Sequence, residues 1–197
     1  MTLFATALTA VILSGAPAQA AAAPAPAAQP AGRLFVLETP AKLHFSVPTS
    51  IGPVEGTVDV VRVDGRGVEG WGRFDLRIVV DPGTVDTGDA LRDRHIARAV
   101  LGHGSGNLFI GATDRLPPQA APEGGYILGA SAWMDARRGR KHVELRYRWK
   151  PGGGGGVFSF EHEATLEELG LPPPQHPFVH VTGPVKLRLS APLVRPG

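Results

Sequence analysis

Apolar and polar residues alternate along most of the chain after Arg33, and this period of two constrains the fold more than any other feature. The clearest run is Lys141 to Lys150, where the apolar positions are Val143, Leu145, Tyr147 and Trp149. Because successive side chains of a strand point to opposite faces, the run predicts an antiparallel strand with one apolar face and one solvent-exposed face. Similar runs occur at 42–47, 54–60, 74–80, 108–112, 126–130, 157–164 and 185–189.

Strands with one apolar face must cover that face with a second sheet or by curling into a barrel. The 26 glycines and 19 prolines among 197 residues argue against a helical bundle. A barrel also removes the exposed edges of the sheet. We therefore predict an all-β, antiparallel barrel of about eight strands. One helix is predicted at about 89–101, a short second helical turn at 165–169, and a turn at Asp64-Gly65.

The first 32 residues carry no charged side chain. An apolar run from Leu3 to Leu13, followed by Ala18-Gln19-Ala20, is typical of a secretory signal peptide and is too short for a membrane span. The Ala/Pro-rich stretch that follows cannot bury a face and is predicted to be a disordered tether. The predicted organisation is a signal peptide at 1–20, a tether at 21–32 and a folded domain at 33–197, in a periplasmic or secreted protein.

Charge and cysteine content exclude several classes of function. Twenty basic residues against 18 acidic ones give a net charge of +2, too small a surplus for a dedicated nucleic-acid-binding protein. The absence of cysteine excludes disulfides, Cys-based zinc sites, iron–sulfur clusters and thiol catalysis. His176 and His180 are four residues apart, but they lie in a Pro-flanked segment that is not predicted to be helical, so no helical zinc motif is formed. His162, His176 and His180 are interpreted as surface or loop residues. No metal and no cofactor are predicted.

One segment of the domain, Val85 to Ile96, reads VDTGDALRDRHI. It resembles the IDTGN-x-x-RD-x-HL signature of the YceI-like family. Weaker similarity covers Leu43–Val47, Gly52–Gly56, Gly129, Val143–Leu145 and Val185–Leu189. The resemblance implies a lipocalin-like barrel in an exported bacterial protein that binds polyisoprenoid and related long-chain lipids.

The resemblance implies that the apolar faces of the strands form the walls of a cavity. This cavity would hold a long isoprenoid (polyprenyl or quinone-type) or acyl chain. The predicted ligand-binding residues are Phe45, Val47, Val58, Phe74, Leu76, Ile78, Ile110, Leu128, Val143, Leu145, Tyr147 and Trp149. The basic cluster Arg137–Lys141 suits either transient contact with an anionic membrane surface or a solvated hairpin tip. The oligomeric state is left open, with a dimer as one option.

The signature contains four residues whose side chains could take part in chemistry: Asp86, Arg92, Asp93 and His95. A carboxylate beside a histidine suits acid–base catalysis. However, Asp and Arg at a strand-to-helix junction commonly cap backbone groups, and no Ser or Cys nucleophile motif accompanies them. We predict a structural or pocket-mouth role for these four residues and no enzymatic activity. Two alternatives stay open: a structural or partner-binding envelope protein with a filled barrel and, less favoured, a hydrolytic or metal-dependent enzyme.

Overall fold

The fold is seen in a computed structural model that describes residues 33–38, 40–68, 73–100, 119–136, 139–174 and 178–195. The strands are β1 Arg33–Leu37, β2 Ala41–Thr49, β3 Gly52–Val68, β4 Arg73–Val80, β5 Gln119–Ala120, β6 Tyr126–Ala136, β7 Gly139–Gly152, β8 Gly155–Ala164 and β9 Val185–Val194. The helical segments are a 3₁₀ turn at Pro82–Thr84, the helix α1 at Ala90–His95 and a π-helical turn at Ile96–Val100. The all-β prediction is confirmed.

The nine strands of the described residues belong to one antiparallel sheet and fill eight positions in it. The order across the sheet is β4-β3-β2-β9-β8-β7-β6-β5. Strands β1 and β2 both lie between β3 and β9 and are in line with each other. Strand β2 pairs with the first part of β3 and with residues 186–189 of β9. Strand β1 pairs with residues 64–67 of β3 and with residues 193–194 of β9. The predicted number of eight strands thus corresponds to eight positions, one of them shared by two strands.

The predicted closure of the barrel is not seen in the described residues. Strands β4 and β5 stand at the two ends of the order, and no pairing joins them within the described part of the chain. The predicted strand at 108–112 falls in the segment 101–118, outside the described residues. In the part of the chain that the structure describes, the sheet is therefore open between β4 and β5.

A single core lies on one face of the sheet, and β7 shows why. Its four apolar residues are buried while the residues between them are exposed, as the alternation predicts. Pairing carries this face across five strands, since residues directly opposite each other share a face. We call the resulting set the buried row: Tyr147, Phe160, Leu189, Leu43 and Val58.

Strand β3 contains a bulge and runs through the predicted Asp64-Gly65 turn. Val60 pairs with Val80 but Arg62 with Val79, so one extra residue is inserted at Val61. The bulge changes the side-chain phase, and Val63 rather than Arg62 joins the core. The predicted turn is wrong because the Asp64-Gly65 backbone is paired on both sides, with β1 and with β4.

The predicted helix at 89–101 corresponds to α1 and the π-helical turn that continues it. The predicted second turn, at 165–169, contains one hydrogen bond of helical type, in which Leu169 N donates to Thr165 O at 3.1 Å. Within the described residues no helix is long and apolar enough to cross a membrane.

The glycine run Gly152–Gly156, which the sequence suggests is a flexible connection, forms a tight hairpin between β7 and β8. Gly152 pairs with Gly155, and Gly154 adopts a φ of 81°, a conformation that favours glycine. A Cβ on Gly155 would collide with the carbonyl oxygen of Leu193 in β9. The run therefore lets two strands and a turn pack closely and is not a loose connection.

Candidate functional site

The predicted ligand-binding residues divide by burial into two groups. The buried group lies in one core cluster and consists of Val58, Ile78, Leu128, Val143, Leu145, Tyr147 and Trp149. Phe45 and Val47 are half-buried and pack against that cluster. Phe74 and Leu76 lie in β4, but their side chains are outside the described part of the structure, as is the whole of Ile110. The structure thus brings seven of the twelve residues together in the core and places two at its margin.

The margin lies where β2 approaches its hairpin with β3. Ala41 and Leu43 at the start of β2 are buried, whereas every residue from Phe45 to Thr49 is half-buried. Phe45 is directly opposite Leu187 of β9 and Gly56 of β3. Leu187 is opposite His162 of β8. These four residues, all half-buried, form the next row on the same face after the buried row, and we call them the half-buried row.

Sequence reasoning missed His162 as an inner-face residue. It follows Phe158 and Phe160 at intervals of two, so the alternation in β8 could have placed it on the core face. The Nε2 atom of His162 is buried and has no hydrogen-bond partner among the described residues. Burial lowers the pKa of His162, while the nearby Glu168 carboxylate raises it. The interpretation of His162 as a surface residue is wrong. His180 is exposed, and His176 lies outside the described residues.

The signature segment is attached to β3 next to the half-buried row. Thr57 N donates to Asp86 O, and Asp86 N donates to Thr57 O, both at 2.9 Å. Gly56 makes this approach feasible, because a Cβ there would lie 2.8 Å from Asp86 O and 2.5 Å from the Phe45 ring. The segment therefore lies against the half-buried row at Gly56.

Thr87, which the sequence analysis did not single out, holds the signature together. Its backbone N and its Oγ1 both donate to Asp93 Oδ1, at 2.9 and 2.6 Å. Arg92 donates through Nε to Thr87 Oγ1 at 2.8 Å and through Nη2 to Thr87 O at 2.7 Å. Asp86 Oδ1 accepts a hydrogen bond from Gly88 N at 3.0 Å. Three of the four predicted motif residues therefore make contacts inside the motif itself.

Helix α1 begins at a capping aspartate that the sequence analysis also missed. Asp89 Oδ1 accepts hydrogen bonds from Leu91 N and Arg92 N, at 2.9 and 3.2 Å, and these bonds lower the pKa of Asp89. His95, at the end of α1, is exposed. The motif thus fixes a short helix to the sheet, with its carboxylates used as acceptors for backbone and side-chain donors. Within the described residues, no group of three His, Cys, Asp or Glu could hold a metal ion.

Comparison with known proteins rests on structure. No protein-family profile and no curated protein sequence matches the chain. A polyisoprenoid binding domain from Saccharophagus degradans, implicated in plant cell wall breakdown, superposes with a TM-score of 0.57 at 12% identity, over 82% of this chain and 98% of that domain. BcnA from Burkholderia cenocepacia gives a TM-score of 0.53 at 10% identity, over 77% and 94% of the two chains. These two likenesses show the fold, and it agrees with the lipocalin-like all-β fold that the resemblance of Val85–Ile96 to the YceI-like signature implied.

Proposed function

We propose that this protein is an exported carrier that binds a long-chain isoprenoid lipid against the inner face of its sheet. The observation that carries the proposal is the change of burial along that face, from a fully buried apolar row to a half-buried one. Likeness in fold to a polyisoprenoid binding domain supports the same class of ligand. The protein sequesters or transfers the lipid and performs no chemistry on it.

The lipid enters at the half-buried row. Phe45 and Leu187 in this row, and Val47 two residues beyond Phe45 on β2, keep part of their surface uncovered, so an apolar chain placed there removes that surface from water. The buried row is already covered by the protein's own side chains. A longer tail therefore reaches it only by displacing them, which sets a limit to the useful length of the tail.

One observation favours the second candidate, a structural or partner-binding envelope protein with a filled interior. Ile78, Leu189 and Ala191 have no exposed surface at all, so much of the inner face is closed by protein atoms alone. A protein of that kind would hold no lipid after purification. The two candidates therefore differ in a directly measurable property.

Several finer features belong to the same proposal. Residues 1–20 direct export to the periplasm or the medium and are removed, and residues 21–32 tether the folded domain. An acyl chain is the alternative to the isoprenoid chain, because apolar walls do not distinguish strongly between them. The cluster Arg137–Lys141 makes transient contact with an anionic membrane surface when lipid is loaded or released.

Mass spectrometry of organic extracts from the purified, natively exported protein tests the proposal. We expect a long-chain isoprenoid lipid in near-stoichiometric amount, and a clear loss of it in Phe45→Ser, because this change puts a hydroxyl on the apolar surface that the tail covers. His44→Ser, at the adjacent exposed position, is the matched control and should retain the lipid. Thermal melts establish that both variants are folded. Wild-type protein free of lipid would favour the filled-interior alternative.

A further inference from the structure

The half-buried row contains one polar side chain, His162, among apolar neighbours. His162 lies opposite Leu187, and Leu187 lies opposite Phe45. His162 is therefore on the face where we propose that the lipid binds. Leu166 and Leu171, from the turn that follows β8, pack against the same core. The imidazole of His162 thus lies at the margin of an apolar surface with one buried nitrogen directed away from solvent.

Among the described residues that nitrogen lacks a hydrogen-bond partner, although the carboxylate of Glu168 is close enough to influence the imidazole. A buried polar atom without a hydrogen bond is costly, and natural proteins contain few of them. Glu168 is the nearby acid, but its Oε2 already accepts from Thr165 N at 2.7 Å and from Thr165 Oγ1 at 2.9 Å. Glu168 N in turn donates to Thr165 Oγ1 at 3.2 Å. This reciprocal capping holds Glu168 in the turn, so Nε2 of His162 stays available for another group.

We propose that Nε2 of His162 forms a hydrogen bond with the terminal oxygen of the bound lipid, and that this lipid carries an uncharged headgroup, a hydroxyl or a carbonyl. The inference rests on the proposed function, since it assigns the polar end of the ligand whose apolar tail lies on Phe45 and Leu187. The imidazole can donate to a carbonyl or a hydroxyl, and can accept from a hydroxyl in its other tautomer.

The charges around the site disfavour an anionic headgroup. The hydrogen bonds from Thr165 lower the pKa of Glu168, so its carboxylate is ionised at neutral pH. Burial lowers the pKa of His162 more than the Glu168 carboxylate raises it, so the imidazole is uncharged at neutral pH. A phosphate or pyrophosphate placed at Nε2 would meet a fixed negative charge and no compensating cation on His162. An uncharged oxygen satisfies the nitrogen without that repulsion.

The test compares three probes on the delipidated full chain: geranylgeraniol, its hydrocarbon analogue without the hydroxyl, and geranylgeranyl phosphate. Wild-type protein should bind the alcohol about fivefold more tightly than the hydrocarbon, the value of one net hydrogen bond, and more tightly than the phosphate. In His162→Leu the advantage of the alcohol over the hydrocarbon should disappear. His162→Gln, which restores a hydrogen-bonding group, should recover part of it. His142→Leu, at an exposed position of β7, is the matched control and should keep the full advantage.

The outcomes separate the two proposals. If wild-type protein binds the alcohol and the hydrocarbon equally, or if His162→Leu keeps the alcohol advantage, the assignment of His162 is wrong while lipid binding stands. Tighter binding of the phosphate than of the alcohol would overturn the uncharged headgroup. If none of the three probes binds to wild-type protein, the proposed function itself fails, and this assignment with it. His162→Gln keeps the test decisive if the leucine variant does not fold.

Discussion

Leu145→Arg is expected to unfold the protein or leave it strongly destabilised at room temperature. Leu145 is 3% exposed and faces the core from the middle of β7. A guanidinium at this position would be buried without a partner, at a cost of several kcal/mol, against a total stability of about 5–15 kcal/mol for a typical domain. Urea denaturation followed by circular dichroism measures the change.

Arg146→Leu is the matched control for this prediction. Arg146 is the next residue of the same strand and is exposed, so its replacement should change the free energy of unfolding by about 0.5 kcal/mol or less. If Arg146→Leu were the more damaging of the two changes, the side-chain phase of β7, and with it the position of the whole inner face, would be wrong.

Phe158→Ala should destabilise the protein by about 3–5 kcal/mol, the range for removing a large aromatic side chain from a core. The Phe158 side chain is 1% exposed, and its ring centroid lies 5.2 Å from that of Tyr147 and 6.0 Å from that of Phe160. The cavity left by the ring would be surrounded by paired strands, which limits how far it can collapse. Chemical denaturation of wild-type and variant protein gives the difference directly.

Val157→Ala provides the comparison within the same strand. Val157 is 39% exposed, and its truncation should cost no more than about 1 kcal/mol. Equal losses in the two variants would contradict the assigned phase of β8. Since this phase also places His162 on the inner face, such a result would remove the geometric basis of the headgroup assignment.

The strands that could be predicted are those whose own side chains alternate strictly. In β7 the pattern is uninterrupted over ten residues, and burial follows it at each position from His142 to Lys150. Features that depend on a partner strand could not be predicted in this way. The Asp64-Gly65 pair is a good local turn signal, yet it lies inside β3 because β1 and β4 pair with it on both sides. The glycine hairpin likewise depends on the approach of β9 to Gly155.

The candidate site was predictable in its apolar part and less so in its polar part. The alternation of apolar and polar residues alone places Leu145 and Tyr147 in the interior. It does not indicate how much of each inward-facing side chain is covered by neighbouring strands. Phe45 and Leu43 look equivalent in sequence, and only the structure distinguishes the half-buried from the buried residue. Thr87 was missed because its role depends on a loop geometry that brings Asp93 and Arg92 to one hydroxyl.

Affinity as a function of tail length tests the lipid-carrier proposal most directly. Delipidated protein is titrated with isoprenoid alcohols of increasing length, and the fluorescence of Trp149, buried on the inner face, is one of the reporters. Each isoprene unit that becomes buried contributes on the order of 2 to 3 kcal/mol before the cost of ordering the tail is subtracted. If the protein carries such a lipid, affinity rises with tail length until the available interior is full and then levels off. Affinity that does not change with tail length, or no saturable binding of any alcohol in the series, would contradict the proposal.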